Sequence, residues 1–212
     1  MAKKDKKKVS KIKIKKKTWH KVLAPKIFGN KQIGESYLQN AEKAVGRKLK
    51  SNLKDLTGNV KDQNVYIGMQ VNGVDGTTLR TTVTSYELTP GYVKRQVRKN
   101  TSRIDDHFIL KTKGGKTVIV KTLMVTFGKT QRSVRSKLSV DLGAFLTEEI
   151  GKSDLSTFVS KLVPRKIQLE AKKSLKKIHP LKEVAVRVLK LKEKGIAEEE
   201  IVVEDKTEVK EK

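Results

Sequence analysis

The chain predicts an α+β fold: an antiparallel, barrel-like sheet of about six strands followed by a C-terminal group of about three helices. Three observations carry this expectation. β-Branched residues alternate with polar ones through the first half of the centre, the apolar period lengthens to the helical value of about 3.6 after Gln131, and both ends are too charged to bury. The 212 residues hold 49 Lys plus Arg against 23 Asp plus Glu, a formal net charge of +26. A chain with that balance wants an anionic partner.

The ends separate first. Residues 3–17 contain ten lysines and one acid, Asp5, so residues 1–17 are expected to be a disordered basic arm, extended by like-charge repulsion until phosphates or counter-ions neutralise it. Residues 193–212 carry eight acids against four lysines and are expected to be an acidic, flexible tail. Between them, residues 18–192 suit a single α+β domain that binds nucleic acid: sheet-rich over 18–128, helical over 129–180, and finished by a strand over 183–191.

Within that domain, strands are expected at Trp19–Leu23, Arg47–Leu53, Val65–Val71 and Thr78–Thr84, with Asn72-Gly73 and Asp75-Gly76 supplying the positive φ of tight hairpins. A second hairpin runs from Phe108–Thr112 through Gly114-Gly115 into Thr117–Val120 and on to Phe127. Between the hairpins, Thr89 is an N-cap followed by Pro90 at the first helical position, and Tyr92, Val93 and Val97 line one face of a short helix. Val134, Leu138, Leu142, Phe145 and Ile150 form a helical stripe that Gly151 is expected to stop. Leu155, Phe158, Val159 and Leu162 define a second helix. Pro164 is expected to open a third, bearing Ile167, Ala171, Leu175 and Ile178, which His179-Pro180 ends.

Several function classes fall away. The chain has no cysteine, which removes disulfides, Cys-ligated metals and cysteine nucleophiles. The longest uncharged run, Gln63 to Val74, is well short of the roughly 20 apolar residues of a membrane span, and no apolar stretch follows the basic start as a secretory signal requires. A cytoplasmic protein with no membrane partner is expected. Gly128-Lys129-Thr130 resembles the end of a phosphate-binding loop, but Leu123 stands where that motif needs its first glycine. Asp105, Asp106 and His107 are adjacent in a strand, so their side chains alternate between faces. The two carboxylates are expected to pair with nearby arginines and cap a turn. His20, His107 and His179 lack partners at metal-ligand spacing. No catalytic residue, cofactor, metal, small-molecule substrate or homo-oligomer is expected.

The basic residues differ in kind, because several lie opposite the apolar stripe of their own element and so point outward. Lys94, Arg95, Arg98, Lys99 and Arg103 gather without an acid. Lys129, Arg132, Arg135 and Lys137 repeat the pattern at a helix start, where free amides also favour phosphate. Lys172, Lys173 and Lys176, with Lys166 and Lys177 beside them, make a third group. The arm adds Lys11, Lys13, Lys15, Lys16 and Lys17, and Lys26 follows the first strand. Trp19 is able to stack on a base, although a lone tryptophan opening a strand is more often core. Aromatic residues are 5% of the chain and form no base-stacking sheet motif, so backbone and shape recognition of folded RNA is favoured over reading of single strands.

Val22-Leu23-Ala24-Pro25-Lys26-Ile27-Phe28-Gly29-Asn30, then Ile33-Gly34-Glu35, Leu53-Lys54-Asp55-Leu56-Thr57-Gly58, Thr101-Ser102-Arg103-Ile104-Asp105-Asp106 and Ile178-His179-Pro180-Leu181 follow one another in an order and spacing similar to a known family. The chain resembles the archaeal and eukaryotic small-subunit ribosomal protein family S-three-Ae, also called S-one-e, in its shorter archaeal form. The resemblance implies a structural constituent of the small subunit, binding and stabilising the 3′ region of small-subunit rRNA on the platform near the mRNA exit. Neighbouring ribosomal proteins are then its protein partners, with mRNA near the exit as a further contact. It also implies that Arg103 lies against RNA, oriented by the carboxylates that follow it. Charge alone does not choose RNA over DNA, and the alternative is a free, non-specific nucleic-acid-binding protein of chromatin type.

Overall fold

The computed structural model describes residues 16–192. Lys11, Lys13 and Lys15, most of the expected arm and the whole of the expected acidic tail lie outside the described residues. The strands are β1 (Thr18–Leu23), β2 (Gln32–Leu38), β3 (Lys48–Asn52), β4 (Val65–Asp75), β5 (Thr78–Leu88), β6 (Arg103–Lys111), β7 (Thr117–Thr126) and β8 (Leu181–Leu191). The helices are α1 (Leu53–Thr57), α2 (Pro90–Gln96), α3 (Arg132–Lys152), α4 (Leu155–Leu162) and α5 (Lys166–Leu175). A mixed α+β fold is thus present, with one sheet of eight strands where about six strands and a separate last one were expected.

The sheet is open, not a barrel. Its path runs β2-β1-β5-β8-β7-β6, and β3-β4 joins on the other edge of β5. Closure would require β3 to pair with β6, and among the described residues that ladder is absent. One edge of β5 is shared: its start pairs parallel with β1 over Thr78–Arg80, and its end pairs antiparallel with β8 over Ser85–Glu87. Thr81, between the two, donates its hydroxyl to the Leu23 carbonyl at 2.7 Å. Beside this fork lies a cleft of about 990 Å³, rimmed by Lys26, Arg80, Lys116, Asp75 and Asp154.

Turn chemistry explains most boundaries. The β4–β5 turn is at Gly76, with φ +56°, whereas Asn72-Gly73 falls inside β4 at a bulge. The β6–β7 turn uses Gly115 at φ +70°, as the Gly-Gly pair predicts. Thr89 caps α2 by accepting from the Tyr92 N–H, with Pro90 in the first turn. Gly151 does not stop α3, which continues to Lys152. There the Ser153 hydroxyl bonds the Glu149 carbonyl at 2.8 Å and the backbone turns extended. Pro164 does not open α5 either, because Arg165 intervenes in the left-handed region at φ 60°.

Packing follows the two periodicities. On one face of the sheet, Val118, Val120 and Met124 of β7 and Val184, Val186 and Leu189 of β8 meet Leu138, Leu142, Leu146 and Ile150 of α3 and Ile167, Ala171 and Leu175 of α5. The i, i+4 spacing of the α3 set keeps it on one side of the helix. At Gly143 an added Cβ would lie 3.0 Å from the Phe108 ring, so the missing side chain lets α3 approach β6 closely. The other face of β7 presents Leu123 and Val125 to Val93 and Val97, which seats α2. A separate small core of Val22, Leu38, Ala44, Val71 and Leu79 lies under the β1–β2 hairpin. Across the sheet Glu87 binds Lys50 and Lys190, the latter at 2.9 Å. These hydrogen bonds, to Lys50 first, hold its carboxyl below the usual range.

Candidate nucleic-acid interface

Three basic groups that are far apart in sequence come together at the end of the sheet where β7 finishes and β6 and β8 begin. The segment after α2 is tied to the segment after β7. The Ser102 N–H donates to the Thr126 hydroxyl at 2.9 Å, that hydroxyl reaches the Gly128 carbonyl at 2.6 Å, and the Thr130 N–H donates to Ser102 Oγ at 3.0 Å. This knot carries Lys94, Arg95, Arg98, Lys99 and Arg103 on one side and Lys129, Arg132, Arg135 and Lys137 on the other. The third group joins through β8. The Phe127 N–H bonds the Pro180 carbonyl, Lys182 Nζ donates to the Gln96 carbonyl at 2.8 Å, and Lys172 Nζ donates to the Lys182 carbonyl at 2.7 Å. Lys173, in the last turn of α5, and Lys176, just after it, are exposed.

These cations divide into two kinds. Arg95 is fixed by Asn64, Arg103 by Asp105 at 2.6 Å, and Lys172 by the Lys182 carbonyl, so each already has a structural bond. Lys94, Arg98, Lys99, Lys129, Arg132, Arg135, Lys137, Lys173 and Lys176 are exposed and make no side-chain bond among the described residues. A charged head with no protein partner is free to meet a phosphate without first breaking a bond. The N-terminus of α3 adds to this surface, since its first turn holds no acid and Gln131 provides no side-chain cap.

The two carboxylates are separated by strand alternation. Asp105 faces outward and orients Arg103, with Arg187 3.7 Å away. Asp106 faces α3, where Ser139 Oγ donates to its Oδ1 at 2.9 Å and its Oδ2 is buried without a partner. Burial pushes the Asp106 carboxyl above its ordinary value, against the Ser139 bond and with a smaller contribution from Asp105. The expected arginine pairing therefore holds for Asp105 and not for Asp106, and neither caps a turn. His107 is exposed on β6. Among the described residues no group of His, Asp or Glu gathers as a metal site, and no helix is long and apolar enough to cross a membrane.

Not every predicted residue joins this surface. Lys26 lies on the cleft rim beside the β6–β7 turn, at the other end of β7, roughly 30 Å away along ten strand residues. Lys16, Lys17 and Trp19 belong to the β1–β2 hairpin, which pairs with the start of β5, whereas α2 follows its end. Trp19 is 63% exposed and contradicts the expectation of a core tryptophan. Sequence reasoning missed two exposed aromatics. Phe127, 64% exposed, stands amid the basic groups, and Tyr37 pairs with Trp19 across β1 and β2. The run Met124–Phe127 signalled a strand for Phe127 but not its exposure. Tyr37 had no signal because β2 itself was unforeseen.

Comparison with known proteins gives the same direction. A family model described as the Ribosomal S3Ae family matches residues 3–195. A curated relative from Methanothrix thermoacetophila, called small ribosomal subunit protein eS1, is 30% identical over 187 residues, covering 88% of each chain. Proteins of the same name from Sulfurisphaera tokodaii and Methanothermobacter thermautotrophicus are 32% and 28% identical, covering 82% and 81% of this chain and 91% and 88% of their own lengths. The ordered strings from Val22 to Leu181, the α+β domain that carries them and a match spanning residues 3–195 agree, and the chain belongs to the Ribosomal S3Ae family, a family of ribosomal proteins and not of enzymes.

Proposed function

We propose that the chain is a structural constituent of the small ribosomal subunit that binds and stabilises the 3′ region of small-subunit rRNA on the platform near the mRNA exit. Neighbouring ribosomal proteins flank it there, and mRNA near the exit is a further contact. The reading rests on family membership and on relatives named small ribosomal subunit protein eS1. The single observation that carries the RNA-binding part is the convergence, around the Ser102–Thr126–Thr130 knot, of cations on or next to α2, α3 and α5 that make no side-chain bond among the described residues. Such a surface recognises backbone and shape: exposed arginines and lysines meet phosphates, while Arg103, held by Asp105, is presented in a fixed direction.

The test is incorporation. The chain carrying Arg98→Ala, Lys99→Ala, Lys129→Ala and Arg132→Ala is expressed beside the intact chain, and lysates are sedimented at low salt and at about half-molar salt. The intact chain is expected to stay with small subunits at both, and the variant to be lost at high salt. Equal retention of the two would remove this surface from the proposal. Crosslinks of the intact chain that map away from the 3′ region would overturn its placement, and association with DNA and all RNA alike would replace the ribosomal role by that of a free binder.

A further inference from the structure

The β1–β2 hairpin presents two large aromatic rings to solvent. Trp19 and Tyr37 are register partners, 63% and 50% exposed, with ring centroids 4.9 Å apart and planes tilted by 36°. Exposing that much aromatic area costs free energy that a partner would recover, and a tryptophan normally buries most of its surface. The opposite face of the hairpin is already committed, since His20, Val22 and Leu38 are buried. Neither the indole N–H nor the phenol hydroxyl has a bonding partner among the described residues.

The surroundings say what kind of partner fits. Lys17 Nζ stands 5.6 Å from the Tyr37 ring centroid, Lys16 is exposed just before the strand, and Lys21 is exposed two residues beyond Trp19 on the same face. One acid, Glu35, shares this face, and its Oε1 accepts from Gln32 Nε2 at 3.1 Å. Rings interleaved with cations offer stacking for a base and charge for the phosphates on either side of it. That combination serves an unpaired strand, because in a duplex the base faces are already stacked on one another. β2 ends the path of the sheet, so no further strand of the described residues covers this corner.

We propose that Trp19 and Tyr37 form a stacking platform for unpaired RNA bases, with Lys17 and Lys21 holding the adjoining phosphates. The platform rests on the reading of the chain as an RNA-binding protein and adds a second site, at the opposite end of β5 from the cation surface. The two sites divide the labour: folded RNA is held by charge near α2 and α3, and a single-stranded segment by stacking on the hairpin.

Trp19 is the one tryptophan of the chain, so its fluorescence reports the platform directly. The full chain is titrated with a single-stranded oligouridylate and with a hairpin RNA of equal charge. Oligouridylate is expected to quench the indole saturably and the hairpin to quench it weakly. Trp19→Ala should weaken oligouridylate binding about tenfold and Tyr37→Ala several-fold, while Trp19→Phe and Tyr37→Phe retain most of it. Hairpin affinity and its salt dependence should stay unchanged in all four, and as exposed positions they leave the fold intact. Unchanged fluorescence at saturating oligouridylate, or an equal loss of both RNAs in Trp19→Ala, overturns the platform. The proposed function fails by a different readout, when the Arg98, Lys99, Lys129 and Arg132 variant keeps full rRNA binding, and quenching by oligouridylate is indifferent to that result.

Discussion

Asp105 and Asp106 are adjacent in the chain and opposite in fate, because a strand turns successive side chains to opposite faces. Asp105 lies in the field of Arg103 and Arg187, whereas Asp106 is turned toward α3 with one oxygen unpartnered. Its folded carboxyl is raised chiefly by burial, so the folded state favours the protonated form more than the unfolded state does. The sign follows from linkage. Above both carboxyl values the folded chain bears the cost of a poorly solvated charge, and below both the cost is absent. Asp106→Asn keeps an acceptor for Ser139 and removes the charge, so it is expected to raise the unfolding midpoint at neutral pH. The gain should shrink as pH falls through the folded value and vanish below the ordinary aspartate range. Thermal melts of both proteins across that range check this, and a gain independent of pH would contradict it.

At the scale of elements, the junction of α2, α5 and β8 turns on Arg165. Its guanidinium donates to Tyr92 Oη at 3.3 Å, lies 5.5 Å from that ring's centroid and stands 4.0 Å from Glu183, whose carboxylate accepts from the same phenol at 3.1 Å. Arg165 holds this place with a left-handed backbone, φ 60°, which costs an L-residue about 1–2 kcal/mol. Arg165→Ala loses the contacts and keeps the strain, while Arg165→Gly loses the contacts and relaxes the backbone. Urea unfolding is therefore expected to find both variants less stable, with glycine ahead of alanine by about 1 kcal/mol. Such junctions were not legible in the sequence, and neither was β2. Its run Gln32–Leu38 lacks sustained alternation, and it is a strand because its backbone pairs with β1. Whether the sheet closes likewise depends on β3 and β6 meeting, a contact between residues about fifty positions apart that no local pattern encodes. What was legible was local: the Thr89-Pro90 cap, the Gly114-Gly115 turn and the stripes of α3, α4 and α5 each depend on residues within two turns of one another. The exposed lysines were legible as a list. Their convergence was not, because it is made by bonds between residues far apart in the chain, such as Thr130 to Ser102, Lys182 to Gln96 and Phe127 to Pro180, which no local pattern encodes.

For the whole molecule the question is whether +26 acts as a diffuse charge or through a place. Counter-ion release makes the two distinguishable, since log affinity falls with log salt by roughly 0.7–0.9 for each phosphate contact and does so only for cations that touch phosphate. Two variants of identical net charge separate the cases. One replaces Arg98, Lys99, Lys129 and Arg132 by alanine, on the surface where α2, β7 and α3 meet. The other replaces Lys43, in the turn between β2 and β3, and Lys111, Lys113 and Lys116, around the β6–β7 turn, all exposed and all away from that surface. If the fold gathers its cations to make a site, the first variant should lower the slope on small-subunit rRNA by about three, and the second by less than one. Equal loss in the two would mean that the arrangement of strands and helices is incidental to binding. The prediction thus ties the open sheet to its use: by leaving β6 and β8 to start, and β7 to end, at one corner, the topology gives three separated basic stretches a common address.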